Sequence, residues 1–306
     1  MQDAEKSMNL KKRKSIFSTD ALMPKILLLF AGISILTTIG IVVILLMESG
    51  KFFARVPIAE FLTGTEWTPL FEPPAYGVLP LIAGSLMITL IACIVAIPFG
   101  IGSAIYLSEY APQKVRNALK PILEILAGIP TIVYGFFAVT FVTPMIRYLL
   151  PQTDMFNALS AGIVVGIMIV PMISSLSEDA MAAVPQSLRN AAYALGSTKL
   201  ETAVKVVVPA AFSGIVASFV LGISRAIGET MIVTLAAGAM PNLSFNPLRS
   251  VETLTAYIVS VSSGDTTYGS VEYLTIYAVG ITLFVMTLAL NMIAGYISRK
   301  FREEYG

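Results

Sequence analysis

The chain has 306 residues, of which 56% are hydrophobic and only 13% are charged, whereas soluble domains carry about 25% charged residues. This composition predicts an all-α polytopic membrane protein. The net charge of +1 argues against a nucleic-acid partner. The chain has no histidine and a single cysteine, Cys93. Neither an internal disulfide nor the commonest metal and general-base chemistry is therefore expected, and no cofactor is predicted.

Apolar runs long enough to cross a bilayer, which takes about 20 residues, predict six spans. Their ranges are 24–47, 78–107, 122–150, 158–177, 206–239 and 271–298. The first run follows a basic cluster, as in a signal peptide. It is too long for one and lacks a small-residue cleavage site, so we interpret it as a retained anchor. Kinks and broken helices are expected at the prolines inside these runs, Pro98, Pro130 and Pro171.

The distribution of lysine and arginine predicts the orientation of the spans. Basic residues concentrate before the first span, between the second and third, between the fourth and fifth, and after the sixth. Because cytoplasmic loops carry the excess of Lys and Arg, both termini are predicted to be cytoplasmic. The chain then divides into a basic segment at 1–23, a six-span domain at 24–298 and a tail at 299–306.

The loop between the fourth and fifth spans, residues 178–209, carries a local folding pattern. Pro185 suits the first turn of a helix, and Gly196 can end that helix in the left-handed conformation. Thr198 and Glu201 have the spacing of a capping box that starts a second helix, and Pro209 precedes the next span. The first helix is predicted to place three apolar residues on one face, Leu188, Ala192 and Leu195.

The same loop, beginning "NAAYALG", resembles the EAA loop of ABC-importer permeases. Ala191, Ala192, Gly196 and Pro209 match that motif in register, while Asn190 stands where the motif has glutamate. The resemblance implies that this loop docks into a groove on a cytoplasmic ATPase subunit. The spacing alone also suits an ordinary interfacial amphipathic loop.

Further stretches resemble the PstC-type permease subunits of bacterial phosphate importers. They are "ILEILAGIPTIVYGFFA", "LGISRAIGETMIVTLAAG" and "VEYLTIYAVGITLFVMTLALN". The resemblance implies a MetI-like type I importer permease in the bacterial plasma membrane, with inorganic phosphate as cargo. It also implies a PstA-type partner, two PstB-type ATPase subunits, an external phosphate-binding protein and surrounding membrane lipid. A PstA-type sister subunit, or a permease for sulfate or molybdate, remains the alternative.

Two charges, Arg225 and Glu229, interrupt the fifth apolar run, where each costs roughly 2.5 to 3.5 kcal/mol near a bilayer centre. Four residues apart, they are predicted to share one helix face, either as a structural ion pair or as part of a phosphate path that includes the adjacent Thr230. Arginine suits the path because its planar fork matches phosphate oxygens. A second acid, Glu124, is expected to pair with Arg225 or with Lys120.

The segment "AGIPTIVYG" adds candidate anion contacts. Gly128 and Pro130 predict a helix break, and Thr131 and Tyr134 supply hydroxyl groups beside the exposed amides of that break. A plain proline kink with buried hydroxyls is the alternative. "GISRAIGET" has neither the spacing nor the lysine of a phosphate-binding P-loop. The chain is therefore predicted to be no enzyme itself, although the assembled importer hydrolyses ATP.

Overall fold

The computed structural model describes residues 19–300, with the side chains of residues 22–297. Most of the predicted basic segment, including Lys12, and residues 301–306 of the predicted tail lie outside the described residues. The described chain is helical. Its one β-type pairing is an isolated antiparallel bridge between Trp67 and Tyr76.

The described helices belong to two compact units, whose boundary lies between Met47 and Glu48. In chain order they are α1 Thr19–Phe53, α2 Ile58–Thr63, α3 Leu79–Ile105, α4 Gln113–Gly128, α5 Thr131–Phe137, α6 Thr143–Leu149, α7 Ala158–Ala182, α8 Gln186–Ala194, α9 Lys199–Thr202, α10 Val208–Ala210, α11 Phe212–Ile227, α12 Met231–Ala236, α13 Leu254–Ser262 and α14 Val271–Lys300. Wider π-helical turns follow α3, α5 and α9, at Tyr106–Tyr110, Ala138–Val142 and Ala203–Val207.

Among the described residues, five helices are long and apolar enough to cross a membrane. They are Leu22–Phe53, Leu79–Tyr110, Thr131–Leu149, Ala158–Ala182 and Val271–Ile297. A sixth candidate is a pair of segments, Lys199–Ala210 and Phe212–Ile227, that meet at a bend of 73°. Counting this bent pair as one span gives the predicted six-span architecture.

Two of the predicted spans have the wrong limits. The third was predicted to begin at residue 122, but it begins at Thr131, because Ile129 adopts an extended conformation before Pro130 and ends α4. The fifth was predicted as one run over 206–239, but it bends at 211 and breaks again at 228–230. A hydropathy profile does not change at such breaks, so it could not predict them. At Pro98 and Pro171, where breaks or kinks were also expected, the helices are unbroken.

Close contact between α3 and α7 forms the main core of the second unit. A Cβ atom added at Gly166 would lie 2.8 Å from the Val95 Cβ and 2.9 Å from the Ala92 carbonyl oxygen. Small residues at such positions let two helix backbones approach closely. α7 is thereby fixed as the central helix, and α11 joins it through a buried hydrogen bond of 2.7 Å between the Ser177 and Ser218 hydroxyls.

An aromatic cluster covers the N-terminal end of α3. Phe52, Phe61 and Trp67 are buried there beside Tyr257 of α13. The Trp67 and Tyr257 rings meet edge to face, with centroids 5.0 Å apart, a geometry that aromatic pairs prefer. These contacts fasten the segment between α1 and α3 to the rest of the second unit.

Glu252, in the loop before α13, makes stability depend on pH. It lies outside the candidate spans and is 5% exposed, and burial raises its pKa to about 7 from the ordinary 4.5. Because the folded protein holds this proton more tightly, its contribution is complete below about 4.5 and is lost as pH rises through about 7. The unmodified protein should therefore lose about 3 kcal/mol of folding stability as pH rises through this range. Glu252→Gln has no titrating group at this position and should not show this loss. Thermal melts of both proteins between pH 5 and 8 test this, and the same change of melting temperature with pH in both proteins would contradict it.

Candidate functional site

Two helix breaks lie side by side in the second unit. One separates α4 from α5 at residues 129–130, and the other separates α11 from α12 at residues 228–230. The short helices that follow, α5 and α12, are in direct contact. A Cβ atom at Gly135 would lie 2.7 Å from the Leu235 Cδ1 and 3.3 Å from the Met231 carbonyl oxygen. Paired broken helices of this kind place backbone polar groups inside a membrane domain.

The predicted pairing of Arg225 with Glu229 on one helix face is wrong. α11 ends before Glu229, and this residue is only 7% exposed within the second break. Its Oε1 accepts the backbone N–H groups of Met231 and Ile232 at 3.1 and 3.2 Å. The Thr255 hydroxyl donates to the Glu229 carbonyl oxygen at 2.7 Å. Glu229 therefore caps α12 and joins it to α13.

This capping role predicts different effects for two substitutions. Glu229→Gln keeps an oxygen that can accept from the α12 amides, so we expect stability close to that of the unmodified protein. Glu229→Ala leaves buried N–H groups without a partner, which costs about 1 to 3 kcal/mol. Thermal unfolding of the two purified variants measures the difference. Equal loss in both would mean that the charge, rather than the cap, is what α12 requires.

The predicted hydroxyl groups serve the breaks themselves. The Tyr134 hydroxyl donates to the Leu126 carbonyl oxygen at 2.8 Å, across the first break. The Thr230 hydroxyl donates to the Gly228 carbonyl oxygen at 3.2 Å, within the second. Thr131 is half-buried as the first residue of α5. Tyr134 and Thr230 thus stabilise the broken helices, and for the buried Tyr134 this agrees with the alternative of a proline kink with buried hydroxyls.

Arg225 and Glu124 face the same cavity, of about 410 Å³. Its other lining residues include Met168, Met172 and Ser175 of α7. Among the described residues, no carboxylate lies within 4 Å of the Arg225 guanidinium, whose Nη2 lies 3.8 Å from the Met168 sulfur. The structure thus brings two of the predicted residues to one cavity without pairing them.

Neither expected partner of Glu124 binds it. Lys120 instead forms ion pairs with Glu178 and with Asp179, the latter at 3.1 Å. Within the described part of the chain, the Glu124 side chain makes no ion pair and is exposed. The cavity therefore presents one cation and one anion, both without a charged partner among the described residues.

The cavity is lined by residues of α4, α7 and α11. Arg225 lies in the last turn of α11, just before the break at 228–230, and Met168 lies close to the middle of α7, which spans 158–182. An arginine without a charged partner beside membrane-spanning helices can attract an anion that would not enter hydrocarbon alone.

The loop between α7 and α11 folds largely as the sequence predicts. Gly196 has a φ of +85°, which confirms the left-handed end of α8. The capping box is also present, because the Thr198 N–H donates to the Glu201 carboxylate at 3.0 Å and the Glu201 N–H donates to the Thr198 hydroxyl at 3.3 Å. Pro185 is the residue before the first turn of α8 rather than within it. Pro209 precedes the 73° bend.

The outer face of α8 is exposed. Asn190 and Ala191 are exposed, whereas Ala192 is buried. The prediction that Leu195 shares a helix face with Leu188 and Ala192 is wrong, because α8 ends at Ala194, and Leu195 is 88% exposed. The loop thus projects small and apolar side chains outward.

Comparison with known families identifies this architecture. A family model described as "Binding-protein-dependent transport system inner membrane component" matches residues 96–303, about two thirds of the chain. The chain belongs to this family. As a member, it is a transport permease subunit of an ABC importer, embedded in the membrane.

Two relatives of this permease cover most of its length. It is 41% identical over 241 residues to the "Probable ABC transporter permease protein YqgH" of Bacillus subtilis (strain 168), covering 79% of this chain and 78% of the relative. It is 32% identical over 302 residues to the "Phosphate transport system permease protein PstC" of Xylella fastidiosa (strain Temecula1), covering 92% and 91%.

A solved structure of a bacterial alginate ABC transporter, in complex with an alginate pentasaccharide-bound periplasmic protein, has a similar fold. The TM-score is 0.66 at 15% identity, covering 94% of this permease and 97% of that chain. At this identity the likeness bears on fold alone. It confirms the MetI-like permease fold predicted from the sequence.

Two buried carboxylates of the permease form ion pairs that were not predicted from the sequence. Arg189 of α8 binds Glu109 at 3.0 Å. Glu178, whose side chain is fully buried, binds Arg116 and Lys120. A sequence signal exists for the first of them, because Arg189 lies three residues before Ala192 and shares a face of the predicted helix with it.

Proposed function

We propose that this permease carries inorganic phosphate inward across the plasma membrane as a PstC-type subunit of an ATP-driven importer. The observation that carries the proposal is the 32% identity, over nearly the whole chain, to a relative named for phosphate transport. Arg225, which has no charged partner among the described residues, supports an anionic cargo, and the alternative of a sister subunit is not favoured by these relatives.

In this proposal phosphate passes Arg225 in the cavity between α4, α7 and α11. Arginine stays charged at any relevant pH and can meet two phosphate oxygens at once. Glu124 faces the same cavity and repels the anion, so the site binds weakly enough to release it, as conduction requires. Thr131 at the start of α5 offers an additional hydroxyl, while Tyr134, Thr230 and Glu229 hold the adjacent helix breaks in shape.

The loop from 185 to 209 is proposed to couple this path to ATP hydrolysis. Its exposed outer face, with Asn190, Ala191 and the turn at Gly196, suits insertion into a groove of a separate ATPase subunit. The proposed complex contains a PstA-type permease, two PstB-type ATPases and an external phosphate-binding protein. ATP is proposed to bind to the ATPase subunits rather than to this chain.

The proposed orientation places both termini and the 185–209 loop in the cytoplasm of a bacterial cell. In a variant that lacks Cys93, a cysteine at Asn190 should react with an impermeant thiol reagent only from the cytoplasmic side. A cysteine at Glu66 should react only from outside. Labelling from the opposite sides would reverse the orientation.

Uptake by the reconstituted complex tests the proposed function. Liposomes that contain the complete complex, with ATP at the ATPase side and binding protein at the other, should accumulate radiolabelled phosphate. Excess unlabelled phosphate should abolish this accumulation, and excess sulfate or molybdate should not. Efficient competition by sulfate would assign the permease to another oxyanion, and uptake without ATP would make it a channel.

A further inference from the structure

Arg189 joins three elements at the cytoplasmic end of the permease. Its Nη2 lies 3.0 Å from the Glu109 Oε1, and its Nε lies 3.3 and 3.4 Å from the two carboxylate oxygens. The same guanidinium donates to the Met181 carbonyl oxygen at 2.8 Å and to the Val184 carbonyl oxygen at 2.5 Å. One side chain on α8 thus binds the C-terminal end of α7 and the π-helical turn that ends the α3 span.

The pair is shielded from water, since the side chains of Arg189 and Glu109 are only 9% and 5% exposed. A buried ion pair adds little net stability compared with apolar residues of the same volume, but it fixes the relative position of the elements that it joins. The guanidinium remains charged at all relevant pH values, and its rigid fork holds both oxygens of the carboxylate. The Arg189–Glu109 contact is therefore better suited to transmitting movement between helices than to stabilising the fold.

The position of this link fits the exposure of α8. Its outer residues, Asn190 and Ala191, are free for a partner, while Arg189 on the inner face reaches the α3 span. A displacement of α8 by a partner would therefore be carried to the end of α3 through this contact.

We propose that the Arg189–Glu109 pair transmits movement of α8 to the cytoplasmic end of the α3 span, which makes Arg189 a positioning residue for energy coupling. The inference rests on the proposed coupling role of the 185–209 loop. It concerns the transmission of force and leaves the nature of the cargo open.

The amount of phosphate transported per ATP hydrolysed tests this link in the purified complete complex. Glu109→Gln should lower the ratio by about tenfold or more, while the ATPase subunits stay bound and hydrolysis continues. Arg189→Lys keeps the charge without the fork, so its ratio should lie between the ratio of the unmodified complex and that of Glu109→Gln. The matched control is Arg249→Gln, which removes an exposed arginine–carboxylate pair with Asp154 outside the 185–209 loop and should leave the ratio unchanged. An unchanged ratio in Glu109→Gln would overturn the proposal.

A second measurement does not depend on the cargo. Spin labels at Asn190 of α8 and Lys114 of α4 are introduced into the complete complex without Cys93. With the pair intact, the distance between the labels should keep one narrow distribution when ATP binds. In Glu109→Gln the distribution should broaden. An ATP-dependent shift with the pair intact would refute the link even if phosphate uptake is normal, whereas absent uptake with the expected distances would refute only the proposed cargo.

Discussion

Replacing Arg225 by glutamine should lower ATP-driven phosphate uptake by about 100-fold or more, as the loss of a transition-state charge contact does in other systems. Since no carboxylate in the described residues lies within 4 Å of this guanidinium, its removal leaves no buried anion behind. The complex should therefore assemble normally. Arg225→Lys should restore uptake only in part, because an ammonium offers no planar fork.

The matched control for Arg225 is Arg249→Gln. Arg249 is also an exposed arginine, but it binds Asp154 at 3.2 Å in the loop before α13, away from the cavity, so uptake should be unchanged. The double variant Arg225→Gln with Glu229→Gln should behave like Arg225→Gln alone, since the two side chains do not pair. Recovery of uptake in the double variant would contradict the separate roles that we assign to them.

Replacing Gly196 by proline should abolish both phosphate uptake and stimulation of the ATPase, while the protein remains in the membrane. Gly196 has a φ of +85°, whereas proline is fixed near −65°. The substitution also removes the N–H that donates to the Tyr193 carbonyl oxygen at 3.0 Å. The turn between α8 and α9 would be lost, and with it the shape of the docking loop.

Gly269 provides the control for this turn. It has a φ of +79° and, like Gly196, open space around an added Cβ, but it lies in the loop before α14. Gly269→Pro should therefore cause a similar local strain and leave ATPase stimulation intact. Equal loss of stimulation in both variants would mean that general destabilisation, rather than the loop, explains the Gly196 result.

Local features were predictable from the sequence. Gly196 and the Thr198–Glu201 capping box depend on backbone preferences within a few residues, and the structure confirms both. The apolar runs could also be predicted to span the membrane, because a membrane span needs only length and low polarity. The family resemblance added the fold, which the comparisons confirm.

The features that were missed depend on chain breaks and distant contacts. A break at 228–230 leaves hydropathy unchanged, so Arg225 and Glu229 seemed to share one helix. Glu109 and Arg189 are 80 residues apart, and only the fold brings them together. The start of the third span was misplaced for a similar reason, since apolar residues on one face of α4 extended the run before Pro130.

Phosphate is proposed to pass through the cavity at Arg225, and the chemical accessibility of Ser175 tests this path. This residue lines the cavity and is half-buried. In the complete complex without Cys93, a cysteine at 175 should react with an anionic methanethiosulfonate during ATP turnover. Saturating phosphate should slow the reaction, and the adduct should block uptake. A cysteine at Leu90, on the outer face of α3, should stay unreactive because an apolar setting suppresses the thiolate. Equal inertness at both positions, or normal uptake after modification at 175, would contradict a phosphate path through this cavity.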